Sequence, residues 1–198
     1  QSGRSPDILV AMEKARAGGA ATVALVNAEG SPLEAIADAI IPLGAGQERS
    51  VAATKSYIAS LAAVLHLVAD WTGDSALHDA MRLSPALLAE AFRCDWSPLV
   101  DCLARARGLY VVGRGPGLGA AQEAALKLKE TCRVHAEAFS AAEVRHGPME
   151  LVGQDFPILV FRQSDDSAEG VEDLAREMIS RGAPVFVAGG GVSGATSL

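Results

Sequence analysis

The chain has 198 residues, 49% hydrophobic and 21% charged, with a formal net charge of −7 and a pI near 5.1. These values describe a folded globular protein of one large or two small domains and exclude a disordered chain. The negative charge argues against nucleic acid or an anionic membrane surface as partner, because neither field attracts such a molecule.

In chain order, "QSGRSPD" opens the sequence with Ser5 before Pro6, a capping hydroxyl followed by proline at the first helical position, and predicts a helix over 6–18. Strands are expected at 22–27 and 39–43, short β-branched runs of the kind found in buried parallel sheets. Helices follow over 50–72 and 76–93. The first contains the longest apolar run, "YIASLAAVLHLVADW", with His66 and Asp70 inside it; at about fifteen residues it falls short of the roughly 20 needed to cross a bilayer and reads as a buried helix. The remaining pattern is helix 97–107, strand 108–113, helix 117–133, strand 156–161, helix 167–181 and strand 183–188. The class is α/β, parallel sheets flanked by helices. Two units are expected, about 1–90 and 91–198, the first with only two clear strands, so that further strands and a longer parent protein are expected upstream. The glycine-rich end, "GGGVSGATSL", reads as a loop.

Three cysteines, Cys94, Cys102 and Cys132, form neither an even set nor a CxxC pair, which points to reduced thiols and a cytoplasmic setting. No two of His66, His78, His135 and His146 stand at helical metal-ligand spacing, so no metal site is expected. Gly115, Gly117 and Ala120 give a formal G-x-G-x-x-A match, but no acid stands at the end of a second strand about twenty residues on; the glycines read as a tight strand-to-helix turn and no nucleotide cofactor is expected.

Three stretches concentrate polar chemistry. The hydroxyls of Ser2 and Ser5, beside a glycine and a helix N-terminus, suit a phosphate, although an ordinary capped helix has the same pattern. On the 117–133 helix, Ala121, Ala125, Leu128 and Cys132 share the side that should face the sheet. Glu123, Lys127 and Glu130 share the other, within about 60° at 100° per residue; a solvated Glu–Lys face has the same spacing. In "HAEAFSAAEVRHGPME", His146 precedes Gly-Pro in a turn, where its ring is accessible, as a lone surface histidine in a loop also is.

Together, "QSGRSPD", "ERSVAATKSY", "GRG" with "EAALKLKE", and "HAEAFSAAEVRHGP" resemble the sugar isomerase (SIS) family over nearly the whole chain, in particular the isomerase half of glutamine–fructose-6-phosphate aminotransferases and the SIS-type glucosamine-6-phosphate deaminases. The resemblance implies two tandem SIS units, each with a five-stranded parallel sheet, in a homodimer with active sites near the subunit interface. It implies that Gln1, Ser2 and Ser5 hold the sugar phosphate and that Val51 and Ala53 line the sugar pocket. It also implies that Glu130 shuttles a proton between C1 and C2, that Lys127 supports the sugar end, and that His146 assists ring opening. The implied activity is conversion of glucosamine 6-phosphate to fructose 6-phosphate and ammonia, or its synthase counterpart; SIS units also serve as non-catalytic sugar-phosphate sensors. No cofactor is implied. Ala53 departs from the serine usual in the aminotransferases, and "ERSVAATKSY" looks more like the deaminase and isomerase branch. The family's tail lysine and its first phosphate-loop serine have no counterpart within residues 1–198.

Overall fold

The computed structural model describes all residues from Gln1 to Leu198, in two compact units, Gln1–Phe92 and Arg93–Leu198. In the first, α1 (Pro6–Ala17) starts at Pro6, carries Asp7 in its first turn and Lys14 and Arg16 in its last, and so complements its own dipole at both ends. Strands β1 (Val23–Val26) and β2 (Ala39–Pro42) pair in parallel, Val23 beside Ala39 through Val26 beside Pro42. Between them lies a short helix not expected from the sequence, α2 (Pro32–Ile36). It is set by a capping box in which Ser31 accepts from the Glu34 N–H and Glu34 reaches back to the Ser31 N–H. Asp38 ties β2 to β1 by accepting from the Thr22 hydroxyl at 2.7 Å and the Thr22 N–H at 2.9 Å. Those bonds, with Arg16 nearby, hold the Asp38 carboxyl below the usual carboxylate range.

Helix α3 (Lys55–Thr72) begins five residues later than expected, because residues 50–54 form a bend ahead of it. It ends at Gly73, whose φ of 66° is left-handed, and Asp74 caps α4 (Ser75–Ala91) by accepting from the Leu77 N–H. The "DWTGDSA" turn therefore joins two packed helices inside the first unit. The expectation of a buried helix is corrected: only Ser56 and Ala69 of α3 are buried. Its apolar residues run all round the helix, whereas within this unit one side of it meets α4, and Leu61, Val64, Leu65 and Trp71 are exposed. Likewise β2 has no buried residue, so the two strands are not covered on both faces.

The second unit holds α5 (Ser97–Leu103), β3 (Gly108–Gly113), α6 (Pro116–Cys132), β4 (His135–Ser140), β5 (Ile158–Phe161), α7 (Ala168–Ser180), β6 (Val185–Ala188) and β7 (Thr196–Ser197). Its sheet is parallel throughout, in the order β4-β3-β5-β6-β7. Every residue of β3 is buried. Leu109 and Val111 face Ala121, Ala125 and Leu99, while Tyr110 and Val112 face Leu174, Ala175 and Met178 of α7; alternate residues feed two cores. Two strands escaped the sequence pattern. The edge strand β4 alternates exposed His135 and Glu137 with buried Ala136, so it lacks the continuous apolar run of the inner strands, and β7 gives the glycine-rich tail a two-residue pairing with β6. Helix α5 stops at Leu103 rather than 107, its chain turning through Arg105 and Ala106 into β3.

The close approach between β3 and α6 is testable. A Cβ at Gly113 would lie 2.3 Å from the Gly117 carbonyl oxygen, whereas Gly119, inside α6, faces open space. Gly113→Ala should lose about 1–3 kcal/mol in denaturant unfolding. Gly119→Ala should gain about 0.5–1 kcal/mol in the same measurement.

Candidate functional site

In the second unit the site is built on α6. The chain leaves β3 at Gly113, turns through Gly115 at φ 54°, and enters the helix at Pro116 with Gly117 buried. Ala121 and Ala125 lie on the sheet with Leu128 packed beside them. Cys132, expected on that side, is exposed, because the helix closes there with Arg133 in the left-handed conformation. On the opposite face, Lys127 Nζ lies 2.5 Å from Glu130 Oε2 and 3.5 Å from Glu123 Oε1. These three side chains are only 21%, 31% and 22% exposed, so the group is neither buried nor freely solvated. The Glu130 hydrogen bond pushes the Lys127 ammonium pKa up, with burial opposing and the Glu123 charge adding. Lys127 is therefore a fixed cation at neutral pH, with the Glu130 side chain held against it.

His146 lies in a single 3-10 turn, Glu143–His146, followed by Gly147 at φ 138° and a second turn, Pro148–Leu151. Buried Val144 and Met149 anchor the two turns in the core. Polar ties add to this. Arg145 pairs with Glu177 of α7 at 2.8 Å, the Tyr110 hydroxyl donates to the Pro148 carbonyl at 3.1 Å, and Arg181 Nη1 donates to the Met149 carbonyl at 3.2 Å. The His146 ring is left exposed on this fixed base, and no hydrogen bond joins it to Lys127 or Glu130.

The first unit carries the remaining candidates. The Gln1 carbonyl accepts from the N–H groups of Asn27 and Ala28, each at 3.2 Å, which lays the opening residues across the end of β1. Gly3, at φ 62°, passes so close to Ser31 that a Cβ would meet its Oγ at 2.5 Å. Ser2 Oγ accepts from the Arg4 N–H at 3.4 Å. Ser5 stands at the N-cap of α1, yet its hydroxyl makes no capping bond; the Ile8 and Leu9 N–H groups go to its carbonyl, so the expected hydroxyl cap is absent. Val51 is 99% exposed at the crest of the bend before α3, and Ala53 is half-buried. Asn27 went unnoticed in the sequence: it donates to the Gly46 carbonyl and accepts from the Ala45 N–H. Its only signal was an amide side chain directly after a strand.

The second unit is thus a doubly wound parallel α/β layer with an acid, a lysine and a second acid along one helix face. The SIS domain family matches residues 1–69 and 102–195, and the chain belongs to that family. It is 36% identical to glutamine–fructose-6-phosphate aminotransferase of Thermotoga maritima, over 96% of this chain and 33% of that protein. A Silicibacter pomeroyi protein, named provisionally as a phosphosugar isomerase, superimposes with a TM-score of 0.94 at 42% identity, over 100% of this chain and 61% of that one. The C-terminal domain of glucosamine-fructose-6-phosphate aminotransferase from Francisella tularensis does so with a TM-score of 0.83 at 25% identity, also over 100% of this chain and 61% of that one. The chain thus spans about a third of the curated relatives it matches.

Tyr110→Phe removes the hydroxyl tie to Pro148 and leaves that carbonyl without its partner. The variant should unfold with a loss of about 0.5–1.5 kcal/mol by urea titration.

Proposed function

We propose that the chain is part of a phosphosugar isomerase acting on amino-sugar phosphates by proton transfer through an enediol or enolamine. The observation that carries this reading is the Lys127 ammonium fixed between Glu123 and Glu130. Aldose–ketose interconversion needs a base beside a carbon acid and a positive charge near the oxygen that becomes negative. Glu130 removes the proton from one of C1 and C2 and returns it to the other. Lys127 offsets the charge on the intermediate, and His146 delivers the proton that opens the sugar ring. Gln1, Ser2 and Ser5 hold the phosphate, supported by the Ser5 hydroxyl that makes no capping bond and by the N-terminus of α1; Val51 and Ala53 contact the sugar.

Two directions of the same chemistry are open to these residues. One adds water to the C2 imine that the proton transfer leaves and releases ammonia, taking glucosamine 6-phosphate to fructose 6-phosphate. The other accepts ammonia, as the isomerase part of a glutamine–fructose-6-phosphate aminotransferase, and the 36% identity to such an enzyme supports it at least as well. Ala53, in place of the aminotransferases' usual serine, favours the first. The reading includes a homodimer, supported by the exposed apolar residues of α3 and α4, and a cytoplasmic setting, supported by three unpaired cysteines. No helix is long and apolar enough to cross a membrane.

Glu130→Gln in the full-length protein should lower turnover of glucosamine 6-phosphate by at least about 10²-fold, the lower range for loss of a general base. Binding of the sugar phosphate, followed by calorimetry, should change by less than about tenfold. Turnover at the parent rate would remove Glu130 from the mechanism.

A further inference from the structure

The link between β2 and α3 includes Val51 and Ala53 but has no regular structure before Lys55. Irregular backbone keeps one shape only where its polar groups are tied. Three side chains tie this link. Asn27 donates from Nδ2 to the Gly46 carbonyl at 2.8 Å and accepts from the Ala45 N–H at 2.9 Å, pinning the start of the link to the end of β1. Lys55 Nζ donates to the Gln47 carbonyl at 2.8 Å. Glu48 Oε1 alone accepts from the Thr54 N–H at 3.0 Å, the Ser56 N–H at 2.8 Å and the Ser56 hydroxyl at 3.1 Å.

The third tie differs from the others because a single carboxylate oxygen closes the loop with three donors. Residues 49–53 leave from Glu48 and return to its own carboxylate, with Val51 at the crest. Thr54 occupies the N-cap of α3 but makes no side-chain cap, so Glu48 supplies the cap from outside the helix. A carboxylate there meets both the free N–H groups and the positive end of the dipole, a strong charge-assisted arrangement. Beneath it, Gln47, Glu48, Arg49, Ser50, Thr54 and Lys55 line a hollow of about 420 Å³.

We infer that Glu48 is a positioning residue, a latch that holds the 49–53 loop in the shape in which Val51 and Ala53 meet the substrate. Its functional consequence rests on the phosphosugar reading; the latch itself rests on the hydrogen bonds. The Glu48 carboxyl is held below its ordinary value of 4.5, first by the Ser56 N–H, with burial opposing and the Ser56 hydroxyl, the Thr54 N–H and the Lys55 charge adding. Lys55 from α3 and Arg49 from the loop are the charged groups around it. A carboxyl with a depressed folded pKa contributes its stabilisation above the unfolded value and loses it as pH falls through the folded one. The latch is therefore closed at neutral pH and opens in acid, below 4.5.

The test uses the full-length protein with E48A and E48Q, hydrogen–deuterium exchange over residues 46–58, and steady-state kinetics on glucosamine 6-phosphate. E48A should speed exchange at the Thr54 and Ser56 amides by about tenfold or more and raise KM by a similar factor, with a smaller fall in kcat. E48Q, whose amide oxygen accepts the same bonds without a charge, should restore most of the protection and abolish its loss in acid. Parent-like exchange at Thr54 and Ser56 in E48A would overturn the latch. Faster exchange with an unchanged KM would overturn its role in positioning. Should E48A fail to fold, identical acid dependence of exchange in the parent and E48Q, after correction for intrinsic rates, would overturn the latch by itself. A parent protein that turns over no amino-sugar phosphate would sink the phosphosugar reading, while the exchange data would still decide the latch.

Discussion

The close contact between the end of β3 and the first turn of α6 is the constraint on which the second unit depends. With no side chain at Gly113 the strand runs up against the Gly117 carbonyl, and α6 lies on the sheet at alanine-sized distance through Ala121 and Ala125. Small residues on the inner side fix the rotation of the helix, and that rotation decides where its charged side points. Glu123, Lys127 and Glu130 owe their common direction to the alanines opposite them.

A Glu–Lys pair one helical turn apart is commonly a surface ornament worth little. Three features separate this group from that case. It contains two carboxylates on one ammonium, its members are between 21% and 31% exposed rather than free in solvent, and it sits on a helix whose opposite face is sealed in a core. A lysine so placed stays charged, which is the state needed to support developing negative charge. Among the other ion pairs of this unit, Arg162 with Glu172 and Arg145 with Glu177 tie loops to α7 and are accounted for by that structural work alone.

Much of this architecture could be read from the sequence because buried parallel strands write themselves as apolar runs; GLYVVG matches β3 residue for residue. The edge strand β4 could not be read that way, since one of its faces is wet and its apolar residues alternate with His135 and Glu137. The side shared by Glu123, Lys127 and Glu130 followed from helical period alone, whereas Ser5 shows the weakness of position-based reasoning: the right residue at the N-cap leaves its hydroxyl unused. Asn27, Asp38 and the carboxylate ring at Glu48 were hidden for a different reason. Each joins residues through space or across a bend, and no periodicity records such a bond. The apolar run in α3 misled because hydrophobicity reports what a residue would bury, not what this unit supplies to cover it.

The two units secure their candidate residues by different forces. In the second, Val144 and Met149 sink the His146 turns into a core and α6 is packed by alanines, so the backbone beneath the candidate groups is set by volume. In the first, where β2 buries nothing, the loops are held by named polar side chains: Asn27 on Gly46, Asp38 on Thr22, Glu48 on Thr54 and Ser56. Hydrogen bonds to carboxylates are directional and depend on ionisation, so a loop held this way can adopt one shape at neutral pH yet shift when a single acceptor is lost. Packing thus fixes the candidate proton-transfer groups, and ionisable latches fix the candidate substrate-contacting loops, which makes the first unit the place where modest substitutions would alter binding before they alter the fold.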